Sequence, residues 1–274
     1  MEKSFIYPFA VVALATLLFT SGCHQNNNTT PTALVGLHLH TSIDTVQLDP
    51  GTPNTFLYDS LGRLEELTLA QVYITNLSFR NKSTQQWSTI TNSIFLKRLS
   101  NEIYPVGNIP AGTYDAISFT VGLGNTLNSA APSSYLTTGN SPDTVLSATE
   151  QSVMWGSGMA GMAGMPSGYT FLNVQGYDST DHIPFSYQIG GYGDTVQVTL
   201  PYPAGFTIAA NEPNILQLIH VIADYGTLLQ SIRPINSSNN NSSFYGVTPN
   251  AANSLRNNIV RMFRYECPVP NGNC

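Results

Sequence analysis

The chain has 274 residues and a formal net charge of −6, with only 10 lysines and arginines. That balance offers no basic patch for nucleic acid. Charged residues make up 9% of the sequence, against roughly 25% in ordinary soluble proteins, and Asn, Ser, Thr, Tyr and Gly take their place, as is common in exported β-rich chains.

Residues 1–23 read as an export signal. Lys3 supplies a sparse positive start, and the apolar run from Phe9 to Phe19 is too short to span a bilayer stably. It ends in Thr20, Ser21, Gly22 and Cys23, small residues directly before a cysteine. This resembles the bacterial lipobox, with Thr20 where Leu is usual. Processed that way, Cys23 becomes the lipidated first residue; the alternative is an ordinary signal peptide cleaved nearby. Residues 24–33 follow as a polar tether, nearly all Asn, Gln and Thr, a composition that cannot bury enough apolar surface to fold. The remainder, 34–274, fits one β domain by length.

Period-two alternation dominates that remainder. Val35, Leu37, Leu39 and Ile43 fall on one face of a first strand, which puts His38 and His40 together on the other. Their Cβ atoms then stand roughly 6–7 Å apart, a spacing at which two imidazoles can converge on one ion, and imidazole suits copper or zinc. Two polar residues on a solvated face is the other reading. Asp44 and Asp49, near this strand, lack the Gly-punctuated acidic loop of a calcium site.

Val72 to Phe79 reads as a second strand. Trp87, between polar neighbours, fits a surface or edge position. A turn at Pro110 to Gly112 leads into Tyr114 to Val121, and Tyr169 to Val174, Phe185 to Ile189 and Thr195 to Leu200 continue the pattern, each bounded by Gly, Pro or Asp. Ile215 to Ile222 is apolar on both faces, as a central strand would be, although periodicity alone also allows a buried helix, and His220 within it reads as a core histidine in preference to a ligand. Asn236 to Ser243 reads as a polar loop. Thr248 and Pro249 can start a helix carrying Leu255, Ile259 and Phe263 on one side. Short strands with turn signals throughout predict an all-β, immunoglobulin-like β-sandwich with a short C-terminal helix.

One segment breaks the pattern. Between Met154 and Tyr169 lie four of the six methionines and one of the two tryptophans, Trp155, in a Gly-rich stretch. Glycine offers nothing to pack and destabilises element interiors. Met159, Met162 and Met165, three residues apart on such a backbone, suit a soft cation such as Cu(I); a mobile loop whose methionines cover a surface is the alternative. Near the end, Cys267 and Cys274 are separated by six residues with two prolines and a glycine. They can close a small disulfide loop in an oxidising compartment, and their spacing excludes a Cys-x-x-Cys site. No Gly-x-Ser-x-Gly elbow, His-Glu-x-x-His helix or phosphate loop is present, which argues against an enzyme.

Several ordered pieces resemble the methanobactin-associated, MbnP-like family of copper proteins. They are Leu37-His38-Leu39-His40, Leu67 to Leu77, Gly112 to Asn125, Met154-Trp155, Gly168 to Gly176, Phe185 to Gly191 and Asn257 to Phe263. The resemblance implies a periplasmic or outer-membrane β-sandwich of the bacterial cell envelope that holds Cu(I) for storage, uptake or transfer. It also implies a di-haem peroxidase-type partner that oxidises a Trp to kynurenine, which then joins histidines at the metal. On this resemblance His40 matches a histidine of the opening strand and Trp155 the Trp of a Met-aromatic-Trp motif, here without its aromatic. Gln188 stands where the family has a histidine, and an amide is a poor ligand for a soft metal. The Met159 to Met165 insertion lies outside the family pattern, so the expected metal set is His38, His40, Met159, Met162 and Met165, with Met154, Trp155 and Gln188 modified or nearby. A non-catalytic adhesive or glycan-binding sandwich, using the 14 tyrosines as contact surface, is the rival reading.

Overall fold

The computed structural model describes residues 31–48, 56–90, 93–128, 168–178, 182–210, 215–230, 232, 241–245 and 250–266. Among these, β1 (Thr32–Ile43) carries the alternation that the sequence predicts: Val35, Leu37, Leu39 and Ile43 are buried in the core and His38 and His40 face the other way. β1 begins inside the expected tether, because Thr32 and Ala33 pair with Pro110 and Ile109 of β7 (Ile103–Pro110). β2 (Val46–Leu48) returns against the end of β1. β12 (Gln217–Asp224) runs parallel to β1, and β14 (Phe263–Tyr265) lies antiparallel on its far side. These five strands make the first sheet.

The second sheet has nine strands built around β4 (Leu64–Asn81). β3 (Leu57–Tyr58), β5 (Trp87–Thr89), β6 (Ile94–Lys97), β8 (Gly112–Val121) and β9 (Thr170–Asp178) all pair with β4. β11 (Val196–Ile208) extends it beyond β8, and β10 (Ile183–Gly190) and β13 (Asn241–Tyr245) extend it beyond β9. One strand serves so many partners because β4 is 18 residues long and irregular, with register shifts against both β8 and β9. Its long apolar run, buried at Leu67, Ala70, Val72, Tyr73, Ile74, Leu77 and Phe79, is the spine of the core.

The two sheets share one hydrophobic core, as a β-sandwich does. Rings cross between them: Phe119 of β8 meets Phe263 of β14 edge-on with centroids 5.0 Å apart, and Phe95 of β6 stacks on Tyr104 of β7 at 4.8 Å. The described residues also hold a 3-10 turn (Tyr192–Asp194) and three α-helices: α1 (Asn125–Asn128), α2 (Tyr225–Leu229) and α3 (Asn250–Met262). Asp224 caps α2 through the Thr227 backbone N–H, and α3 is the predicted C-terminal helix, with Leu255, Ile259 and Met262 buried. Among the described residues, no helix is long and apolar enough to cross a membrane.

Two local expectations change. Phe263 is not on the helix, because its backbone joins the ladder opposite Ala223 and starts β14. Asn241 to Ser243, read as part of a polar loop, lie in β13, which pairs in parallel with β10. A lone polar segment has no apolar face to announce a strand, and only an available sheet edge makes it one.

Candidate metal centre

Three imidazoles meet on the outward side of the first sheet. Within β1, residues 38 and 40 point to the same face because side chains repeat every second residue. β12 lies parallel to β1 with His38 directly opposite His220, while Ile219 and Val221 point into the core. His220 therefore shares the face of His38 and His40. The reading of His220 as a core histidine is thus corrected: Ile215 to Ile222 is apolar on both sides, but only one of those sides is the core.

The rings are close. The centroids of His38 and His40 are 3.9 Å apart, those of His38 and His220 4.7 Å and those of His40 and His220 6.0 Å. The Nδ1 atoms of His38 and His220 approach to 3.2 Å. One ring nitrogen from each of the three can be chosen so that all lie within 4.8 Å of one another. Nitrogens bound to a single ion at about 2.0–2.1 Å stand roughly 3–4 Å apart, so a small side-chain adjustment closes the cluster around a metal.

Two carboxylates are interleaved with the rings. Glu102 Oε2 lies 3.4 Å from His38 Nε2 and 3.2 Å from His40 Nδ1. Glu266 Oε2 lies 3.2 Å from His40 Nε2 and 3.0 Å from His220 Nδ1. Backbone bonds hold both acids in place: Leu39 N–H donates to Glu102 O at 2.7 Å, and Glu266 N–H donates to His220 O at 3.2 Å. From β2, the Gln47 side-chain amide lies against His40 Nδ1. His40 is only 7% exposed, so this is a partly enclosed cluster and not a solvated strand face.

The surroundings of His38 favour its neutral form. Burial, reinforced by the neighbouring His40 and His220, pushes the His38 pKa below the usual imidazole value, with Glu102 acting in the opposite direction. A neutral imidazole keeps the lone pair that a metal needs. Glu102 also has a buried Oε1 with no hydrogen-bond partner among the described residues, and leaving such an oxygen unpaired costs free energy.

Lys97 builds the approach to Glu102. Wholly buried, its Nζ donates to Thr41 Oγ1 at 2.8 Å, Arg98 O at 2.6 Å and Asn101 O at 3.3 Å. The Tyr104 hydroxyl donates to Asn101 O at 2.7 Å and accepts from Arg98 N–H at 2.9 Å. Together they tie the turn before Glu102 to the strand that carries His40.

The expected ligands fare differently. His38 and His40 are brought together as predicted. Gln188 lies on β10 of the other sheet, opposite Asn173 and Ser243, and the third imidazole of the cluster comes from His220. Met154, Trp155, Met159, Met162, Met165, Cys23, Cys267 and Cys274 lie outside the described residues. Sequence reading missed Glu102 and Glu266, which stand at strand ends with no motif around them. Asp44 belongs to another environment, where its backbone N–H donates to Asp224 Oδ1 at 2.7 Å. Trp87 sits on the short strand β5, 42% exposed, with the Arg80 guanidinium 5.7 Å from its ring centroid.

Fold and site together define the class: a two-sheet β-sandwich carrying a histidine–carboxylate cluster on one sheet. The family model described as MbnP matches residues 32–247, and the chain belongs to the MbnP family. Among solved structures it is similar to MbnP from Methylosinus trichosporium, at 14% identity over 73% of this chain and 78% of that one, with a TM-score of 0.44. No curated protein matched.

Proposed function

We propose that this protein binds copper at His38, His40 and His220 and serves copper storage, uptake or transfer without being an enzyme. The observation that carries this reading is the convergence of three imidazoles from two strands, since histidine is the commonest metal ligand and imidazole suits copper. Membership of the MbnP family supports the choice of copper. The residues fit the ion: the nitrogens lie near ligand spacing, and the carboxylates supply the outer partners that orient metal-bound imidazoles.

The wider setting is part of the same proposal. The protein is exported to the bacterial cell envelope, periplasmic or outer-membrane, and anchored through a lipid on Cys23. Met159, Met162 and Met165 offer thioethers to Cu(I), and a di-haem peroxidase-type partner oxidises Trp155. These residues lie outside the described chain, so the histidine cluster is where the proposal is tested first. Titration of the purified protein with copper, watched with a competing chromophoric chelator, is expected to give one tight site in the native chain and none in the His38→Ala/His40→Ala/His220→Ala variant. Full affinity in that variant would sink the reading. No copper binding by the native protein would return the chain to the adhesive or glycan-binding alternative.

A further inference from the structure

We propose that Glu102 is a positioning residue of the histidine centre: it holds a proton on His38 Nε2 and on His40 Nδ1, so that His38 Nδ1 and His40 Nε2 are the nitrogens turned to the metal. This rests on the proposal that the three histidines bind metal, and it names the ring atoms they use.

The two acids stand on different sides of the rings. Glu102 Oε2 faces His38 Nε2 at 3.4 Å and His40 Nδ1 at 3.2 Å. The opposite nitrogens of these two rings turn towards His220. His38 Nδ1 lies 3.2 Å from His220 Nδ1, and His40 Nε2 shares Glu266 Oε2 with that same His220 nitrogen, at 3.2 and 3.0 Å. The nitrogens therefore converge on the side away from Glu102, whose carboxylate lies behind the rings. A metal-bound imidazole donates its remaining N–H to an acceptor in that place, which fixes both the tautomer and the orientation of the ring. Here a single oxygen serves two rings, since Glu102 Oε1 is buried with no partner among the described residues.

The backbone sets that oxygen in position. Glu102 O accepts from the N–H of Leu39, the residue between the two histidines, at 2.7 Å, so acid and rings are registered to one point of β1. Lys97 ties down the turn before Glu102 through Arg98 O and Asn101 O, and its positive charge attracts the carboxylate. With that cation as counter-charge, Glu102 acts on the metal through the imidazoles. Gln47 is compatible with the same assignment. Its side-chain amide lies against His40 Nδ1, and an amide can turn either its oxygen or its N–H groups to a neighbour, whereas an ionised carboxylate only accepts. With the proton on Nδ1, both neighbours are satisfied once Gln47 presents its oxygen.

Histidine nitrogen spectra read the tautomers directly. In long-range proton–nitrogen correlation spectra, neutral His38 of the metal-free native protein is expected to carry its proton on Nε2. In the Cu(I)-loaded protein, His38 is expected to bind through Nδ1 and His40 through Nε2. Binding of either ring through the nitrogen that faces Glu102 overturns the proposal and leaves the histidine reading standing. The Glu102→Ala variant removes the acceptor and is expected to mix the two His38 tautomers. Its Cu(I) affinity is expected to fall about 10–100-fold, while Glu102→Gln, whose amide oxygen still accepts, stays within about threefold of native. An unchanged His38 tautomer or unchanged affinity in Glu102→Ala overturns the proposal. An equal loss in Glu102→Gln overturns it as well, because that loss marks a charge acting on the ion itself. Thermal denaturation checks that the variants fold, and Glu102→Leu serves if Glu102→Ala does not. A native protein that takes up no Cu(I) overturns both readings.

Discussion

Lys97 and Glu65 show how burial converts single side chains into pH-dependent stability. Burial pushes the Lys97 pKa from 10.5 to about 7, with the Glu102 charge pulling the other way. Below pH 7 the folded and unfolded chains both hold this proton, and between about 7 and 10.5 only the unfolded chain does, so this contribution to stability rises with pH in that window. Urea denaturation should show native stability gaining on Lys97→Met from pH 7 to pH 10; a constant difference contradicts the assignment. Glu65 has the opposite sign. Burial raises its pKa from 4.5 to about 8. The Arg63 contact at 3.0 Å resists this, but that guanidinium also binds Asp59 at 2.6 and 2.7 Å. The folded form holds the proton that the unfolded form loses, so this contribution is fully present below pH 4.5 and is lost as pH rises towards 8. Glu65→Gln is expected to flatten that decline, measured as the difference in urea midpoint between pH 5 and pH 8.

Strand β4 is the element on which the second sheet depends, and its irregularities set local requirements. The register with β9 slips between Leu67 and Leu69, which brings the Glu66 carbonyl against Gly176, where an added Cβ would overlap that oxygen and press on the Phe185 ring. The Gly176→Ala substitution is expected to cost at least about 2 kcal/mol, since inserting a carbon into a packed site costs about 1–3 kcal/mol and backbone yields less than side chain; chemical denaturation measures it. This requirement was not legible beforehand, because a bulge depends on two strands more than a hundred residues apart in the chain. The alternation in β1, by contrast, was legible from Val35, Leu37, Leu39 and Ile43 alone, since a strand's faces depend only on residue parity. For the same reason His38 and His40 could be placed side by side in advance. His220 could not, because its partner in the ladder is 182 positions away, and Glu102 and Glu266 arrive from two further strand ends.

For the whole molecule, the centre draws on residues 38, 40, 102, 220 and 266, which the unfolded chain does not hold together. A metal that binds there binds the folded state, and ligand at 100 times its dissociation constant adds about 2.7 kcal/mol, or roughly 5–10 °C in Tm for a chain of this size. Differential scanning calorimetry with and without copper is expected to show that rise in the native protein and not in the His38→Ala/His40→Ala/His220→Ala variant. Local pattern was enough to establish a β-rich chain, most of its strands, its C-terminal helix and one edge of the histidine cluster, because these follow from near-neighbour periodicity and turn chemistry. Strand pairing added the parallel register of β1 with β12, the third imidazole and the two carboxylates, because which distant strands share a ladder is settled by the burial of both sheets' apolar faces against each other, a property of the assembled core that no short stretch of residues contains.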